Sequence, residues 1–166
     1  MSVPTIIVGY IEEAFPGWRS GGDPARLARL QEAAVAINNH NETVLEALPQ
    51  DDAFPPLTRP MFGWAPARAP MITYQNRLVH FAACMKNADF SMRLWLDKFE
   101  ELLRKMYWES AYLRIKAVYV GTHEFEWRPT KRWIEELCRA SLGPITEWDF
   151  TSTMDHDQLE GLRRQS

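Results

Sequence analysis

Covalent chemistry in this chain would have to draw on two cysteines and four histidines together with its carboxylates. Cys84 and His80 stand four apart in one apolar run, which puts both on the same side of a strand. Four strand residues span about 13 Å, too far for the two side chains to share a proton directly. Cys84 would meet His123 only across a sheet, and the expected state of both Cys84 and Cys138 is a buried, inert thiol. His80, His123, Glu124 and the run Asp155-His156-Asp157 are the candidate zinc ligands, but none has the paired helical spacing of His-Glu-x-x-His, and no metal is expected. Adjacent carboxylates occur at Glu12-Glu13, Asp51-Asp52, Glu100-Glu101 and Glu135-Glu136. Acid–base catalysis needs two carboxylates in one pocket with separated pKa values, whereas helix neighbours point about 100° apart, so the helical pairs read as solvated faces. Gly9 follows the first apolar run without the spaced glycines of a phosphate or dinucleotide loop, so no cofactor is expected.

The remaining signal is one of binding. Seven tryptophans are many for 166 residues, and Trp18, Trp64 and Trp148 fall in loops or at an edge, where a large rigid ring with one donor suits an interface. Near Trp64 and Trp148 in the sequence stand Asp51, Asp52, Glu147, Asp149, Asp155 and Asp157. An acidic, aromatic face for a basic partner follows, with Asp51, Asp52, Trp64, Glu124, Glu126, Trp148, Asp149, Asp155 and Asp157 as its expected residues.

The elements that would position these residues can be read in order. Thr5 to Ile11 is β-branched and short, as in a central strand. Asp23-Pro24 starts a helix, with Leu27, Leu30, Ala34, Ile37, Val44, Leu45 and Leu48 as its buried stripe and Asn38 to Asn41 weakening or splitting it. Residues 49–70 hold six of eleven prolines and form an irregular excursion, which Phe54, Phe62 and Trp64 should tie down. Met71 to Tyr74 and Leu78 to Met85 read as two strands around Gln75-Asn76, the second apolar on both faces. Ser91 or Asp89 caps a helix with Met92, Trp95, Leu96, Phe99, Leu102, Leu103 and Met106 at 3.6-residue spacing.

A hairpin follows, Tyr112 to Val120 with Glu124 to Arg128. A three-residue loop at Gly121-Thr122-His123, pairing Tyr119 with Phe125 and Ala117 with Trp127, keeps one face apolar and leaves Arg114 and Lys116 beside Glu124 and Glu126. Thr130 caps a last helix stopped by Gly143-Pro144, Thr146 to Phe150 makes a short edge strand, and 151–166 is a docked helix or a frayed tail. The expected fold is one α+β domain over 1–166, a mixed, mostly antiparallel sheet packed by about three helices.

Length and a hydrophobic share of 46 % suit one domain with a real core. No run approaches the ~20 apolar residues of a membrane span, and no basic region precedes Ile6-Ile7-Val8, so a cytosolic protein without a signal peptide is expected. A net charge of −3 argues against nucleic acid as partner. The charge is uneven: 8 acids against 5 bases in 1–70, 8 bases against 5 acids in 71–120, and 9 acids against 6 bases in 121–166.

With strand Leu78-Val79-His80-Phe81-Ala82-Ala83, helix Trp95 to Met106 carrying Lys98-Phe99-Glu100-Glu101-Leu102-Leu103, and a hairpin ending Glu126-Trp127-Arg128-Pro129, the C-terminal two thirds of the chain resembles the immunity proteins of bacterial polymorphic toxins. These small cytosolic proteins neutralise toxins delivered by type VI, Rhs or contact-dependent systems. The resemblance implies a non-catalytic protein that binds a cognate toxin domain one to one and occludes its active site, its acids standing in for a negatively charged substrate. The rival reading is a small enzyme with a pocket beneath the proline-rich excursion, using His80 or His123 as general base. A third is a subunit or adaptor in an obligate oligomer.

Overall fold

A computed structural model describes residues 3–14, 24–66, 76–130 and 145–164. Six strands form one open antiparallel sheet: β1 (Pro4–Glu13), β2 (Phe62–Trp64), β3 (Leu78–Lys86), β4 (Trp108–Ala117), β5 (Gly121–Pro129) and β6 (Trp148–Ser152), in the order β2-β3-β1-β4-β5-β6. Among the described residues the helices are α1 (Pro24–Glu46), α2 (Met92–Leu103) and α3 (His156–Arg164), which make the domain α+β. The expected fold class is therefore the observed one, with β1 inside the sheet and β6 at its edge. Among the described residues no helix is long and apolar enough to cross a membrane.

Alternation along the strands sends Ile7, Ile11, Val79, Phe81, Leu113, Ile115, Phe125 and Trp127 to an inner face, where they are at most 3 % exposed. Helix α2 lays Trp95, Leu96, Phe99, Leu102 and Leu103 on that face, as its periodicity predicted. The Phe99 ring stacks on Trp95 at 5.4 Å and meets Phe81 and Trp127 at 5.1 Å each. Gly9 makes room for this cluster, since a Cβ there would strike the Phe81 ring and the Tyr112 carbonyl. Burying tryptophan requires a home for its N–H. Trp95 donates to the Pro56 carbonyl, Trp108 to that of Leu103 and Trp127 to Glu100, at 2.9–3.1 Å.

Several local expectations are corrected. Helix α1 runs unbroken through Asn38 to Asn41, because Asn41 is fully buried and exchanges two hydrogen bonds of 2.9 Å with the Tyr107 backbone. Its polarity docks the helix where the sequence suggested it would break it. Ser91 stands at the N-cap of α2, one of the two expected positions, but its side chain makes no capping bond. Asp89 is instead buried in the 3-10 turn Asp89–Ser91, accepting bonds from the Thr5 hydroxyl and, at 3.0 Å, the Tyr119 N–H.

The β4–β5 loop has three residues but lies three positions earlier than expected, at Val118-Tyr119-Val120, so Leu113 faces Phe125 and Ala111 faces Trp127. The two registers put the same residues on the inner face, so the apolar pattern alone does not separate them. Gly121, at φ 85°, supplies the left-handed residue that follows a three-residue turn. Strand β3 alternates buried and exposed, so only one of its apolar faces is covered. Cys84 is exposed rather than buried. The proline-rich excursion packs down through Leu57 and Phe62 and supplies β2, while Phe54 stays 55 % exposed. The expected strand at Met71 to Tyr74, the helix after Thr130, Trp18 and Cys138 lie outside the described residues.

Candidate functional site

The nine expected binding residues separate into two groups. Asp51, Asp52 and Trp64 belong to the segment between α1 and the β2 edge. Glu124, Glu126, Trp148 and Asp149 lie on β5 and β6, with Asp155 and Asp157 at the start of α3. Strands β2 and β6 stand five spacings apart, about 24 Å.

In the first group Asp52 and Trp64 hold the fold. Asp52 accepts the Leu57 N–H at 3.0 Å and the Lys98 ammonium at 2.7 Å, and Lys98 also donates to the Ala53 and Pro55 carbonyls. These bonds hold the Asp52 carboxyl below its usual range, the Lys98 bond first and the Leu57 amide second. One ammonium thus clamps the excursion to α2. The Arg59 guanidinium sits 4.2 Å over the half-buried Trp64 ring. Asp51 is exposed.

The second group lies along the β5–β6 edge, where Arg128 stands among the acids and pairs with Glu126. Glu124, Glu126 and Asp149 alternate with core residues and so point to the outer face, where Tyr112 faces Glu126 and Arg128 faces Asp149. Tyr112 donates its hydroxyl to Glu124 at 2.9 Å. The Glu124 backbone bonds to Thr153, and α3 then packs against α2 and the Asp89–Ser91 turn. Asp155 caps α3: it accepts the Gln158 N–H at 2.7 Å while Gln158 accepts the Asp155 N–H at 3.1 Å, a reciprocal capping box. Asp157 is fully exposed in the first turn. Trp148 faces inward, packed on Trp108 at 5.9 Å with Arg104 at 5.0 Å over its ring. A shallow cleft of about 230 Å³ is lined by Tyr112, Glu124, Phe125, Glu126, Thr151, Ser152 and Thr153. It is smaller than the ~300–1,000 Å³ of typical small-molecule pockets.

Sequence reading missed a second set of polar residues. A bulge in β4 sets Glu12 opposite Ser110 and Glu13 opposite Trp108, leaving Glu109 as the extra residue. On the outer side the Asn76 amide donates to both Glu12 and Glu109, and Ser110 donates to Glu12 at 2.8 Å. Burial, then the neighbouring Glu12, raises the Glu109 carboxyl above its usual range. On the inner side Glu13 is 2 % exposed and paired with Arg77 at 2.8 Å. Arg77 is held in turn by Glu42 and by the Asn38 and Ala65 carbonyls. Burial outweighs Arg77 and lifts the Glu13 carboxyl to about 7. Glu12-Glu13 is thus a pair split between two faces. The sequence signal was its place at the end of a strand, where neighbours diverge.

The remaining candidates are dispersed. His80 lies on the outer face over Gly63, and a Cβ at Gly63 would meet its ring. His123 alternates with Phe125 on the inner side, bonded to the Val120 carbonyl at 2.6 Å, three strands from β3. Among the described residues no group of three or more His, Cys, Asp or Glu side chains is arranged to hold a metal.

The fold is an open antiparallel α+β domain with one helix-covered face and one face that no helix covers among the described residues. No family model, curated protein or solved structure matches the chain.

Proposed function

We propose that this chain works by binding a basic protein surface with the margin formed by β5, β6 and the first turn of α3, as an immunity protein that holds a toxin domain inactive. The observation that supports this is the alignment of Glu124, Glu126 and Asp149, from two neighbouring strands, on the outer face of the sheet edge, with the exposed Asp157 in the first turn of the helix that follows β6. Carboxylates so placed attract a cationic active site and occupy the positions of a polyanionic substrate's charges, raising association rate more than lifetime. Asp51 and Asp52, at the far edge, belong to a different surface.

The test begins by capturing the partner from the native host and expressing it alone. A partner that arrests growth by itself, and no longer does so when this chain is co-expressed, is the expected result. Reversal of charge at Asp149 together with Asp157 should slow association severalfold at low salt and converge on the unmodified rate at high salt. A partner that is harmless alone, association indifferent to both reversals, or no partner at all overturns the proposal.

A further inference from the structure

The two edges of the sheet differ. At one, β2 is only three residues long, and the Arg59 side chain, laid over the Trp64 ring, donates to the Phe62 carbonyl at 2.9 Å. At the other, β6 runs Trp148-Asp149-Phe150-Thr151-Ser152 with no proline, lysine or bulge to blunt it. Its hydrogen-bond parity follows from the Thr153 N–H, which donates to the Glu124 carbonyl at 3.0 Å. Every second residue before it, Thr151 and then Asp149, therefore turns its backbone groups toward Glu126 and Arg128 of β5. Trp148, Phe150 and Ser152 turn theirs the other way, and among the described residues no strand pairs with them.

The side chains along this edge select what fits there. Asp149 and Thr151 stand on the outer face with Glu124 and Glu126 one strand in, so Arg128 is the one cation of β5 and β6 among three carboxylates on that side. On the inner face the Phe150 ring stacks on Phe125 at 6.1 Å and lies 5.3 Å from Trp127, yet stays 36 % exposed. A strand added to β6 alternates in the same way, setting one row of side chains beside Asp149 and Thr151 and the other beside Phe150. We propose that the partner adds one strand to β6, antiparallel like every other pair in this sheet, through an extended segment whose residues alternate between cationic and apolar. Its lysines or arginines lie opposite Asp149 and Thr151, where side chains of an antiparallel pair come closest, and reach Glu126 across Thr151. Its apolar residues lie opposite Phe150 and complete the cover over that ring, while its backbone takes up the groups left open on Trp148, Phe150 and Ser152. A second copy of this chain does not fit, because pairing two β6 edges antiparallel sets two negative outer faces side by side. The inference rests on the partner-binding reading and adds how the partner is held: charge attracts it, and backbone pairing fixes its line.

Hydrogen exchange of the full chain, followed by NMR, tests this residue by residue. In the free chain the amides of Phe150 and Ser152 should exchange fast and those of Asp149 and Thr151 slowly. A short capped peptide of alternating arginine and valine, at saturation, should slow exchange at Phe150 and Ser152 by about tenfold or more. The same peptide with glutamate in place of arginine, or with its valine nitrogens methylated, should give no such protection. Asp149→Asn should weaken binding of the arginine peptide severalfold at low salt. No protection from the arginine peptide, equal protection from either control, indifference to Asp149→Asn, or slow exchange at Phe150 and Ser152 in the free chain overturns the proposal. The captured partner separates this inference from the reading it rests on. If charge reversal at Asp149 and Asp157 slows association while Phe150 and Ser152 still exchange fast in the complex, the margin stands and the added strand falls. If the arginine peptide protects the edge but no partner is toxic, the strand stands and the immunity reading falls.

Discussion

Ile7 and Ile11 of β1 are fully buried, whereas Ile6 and Val8 of the same strand are 41 % exposed. Nothing in their chemistry separates the two pairs. One side of the sheet met α2 and the other met no helix of the described chain, so the same kind of side chain closes a core on one face and offers a surface on the other. Glu12 and Glu13 repeat the contrast in polar form: Glu12 lies among outer-face donors, and its neighbour is buried against an arginine. Stability should therefore reside on the inner face and association on the outer.

The largest effect that could break this division is at Phe99, fully buried among Phe81, Trp95 and Trp127. Phe99→Ala should cost about 3–5 kcal/mol, from lost transfer energy and the cavity left behind, read from denaturant unfolding. Val8→Thr on the outer face should stay within about 1 kcal/mol. Comparable losses at the two positions would mean that the outer face is buried in the folded monomer.

The division was half legible in the sequence. Helix α2 could be located from spacing alone, because its apolar residues follow one period and its burial follows them. The central place of β1 and the edge place of β6 were legible from β-branching and from length. What alternation did not reveal was which apolar face would be covered: β3 reads as buried on both sides, and only the position of the helices shows otherwise. The hairpin register escaped for a related reason, since a shift that preserves parity leaves every residue on its own face. Of the expected site, Asp149 is a solvent-facing acid as read, but Asp52, Trp64, Glu124, Glu126, Trp148 and Asp155 are engaged by Lys98, Arg59, Tyr112, Arg128, Trp108 and Gln158. A sequence shows that an acid is present, and its partner is a tertiary fact.

The second effect concerns Glu13 and has a pH signature. Its carboxyl is lifted from 4.5 to about 7 by burial, against the opposing pull of Arg77. Between those values the folded chain holds a proton that the unfolded chain releases, so stability should fall as pH rises through the window and level off on either side. The full span corresponds to about 3 kcal/mol as an upper figure. Thermal unfolding from pH 4 to pH 8 should show this decline, and Glu13→Gln, which cannot ionise, should lose that part of it. A slope unchanged in Glu13→Gln would assign the titration elsewhere on the inner face.

The smallest effect is expected on the outer face itself, where charged side chains lie close together and contribute little to the fold. Arg128 pairs with Glu126 two residues before it on the same face of β5, and it stands opposite Asp149 on β6. The Arg128 side chain is 67 % exposed and that of Glu126 38 %, so water and salt screen the attraction, and ordering two long side chains offsets much of what remains. Arg128→Ala should therefore change the unfolding free energy by no more than about 0.5 kcal/mol, with little response to added salt. It should also leave the acidic margin more negative and so speed association with a basic partner. A loss of more than about 1 kcal/mol, a large effect for a surface substitution, would show that the outer face carries part of the stability assigned here to the inner one.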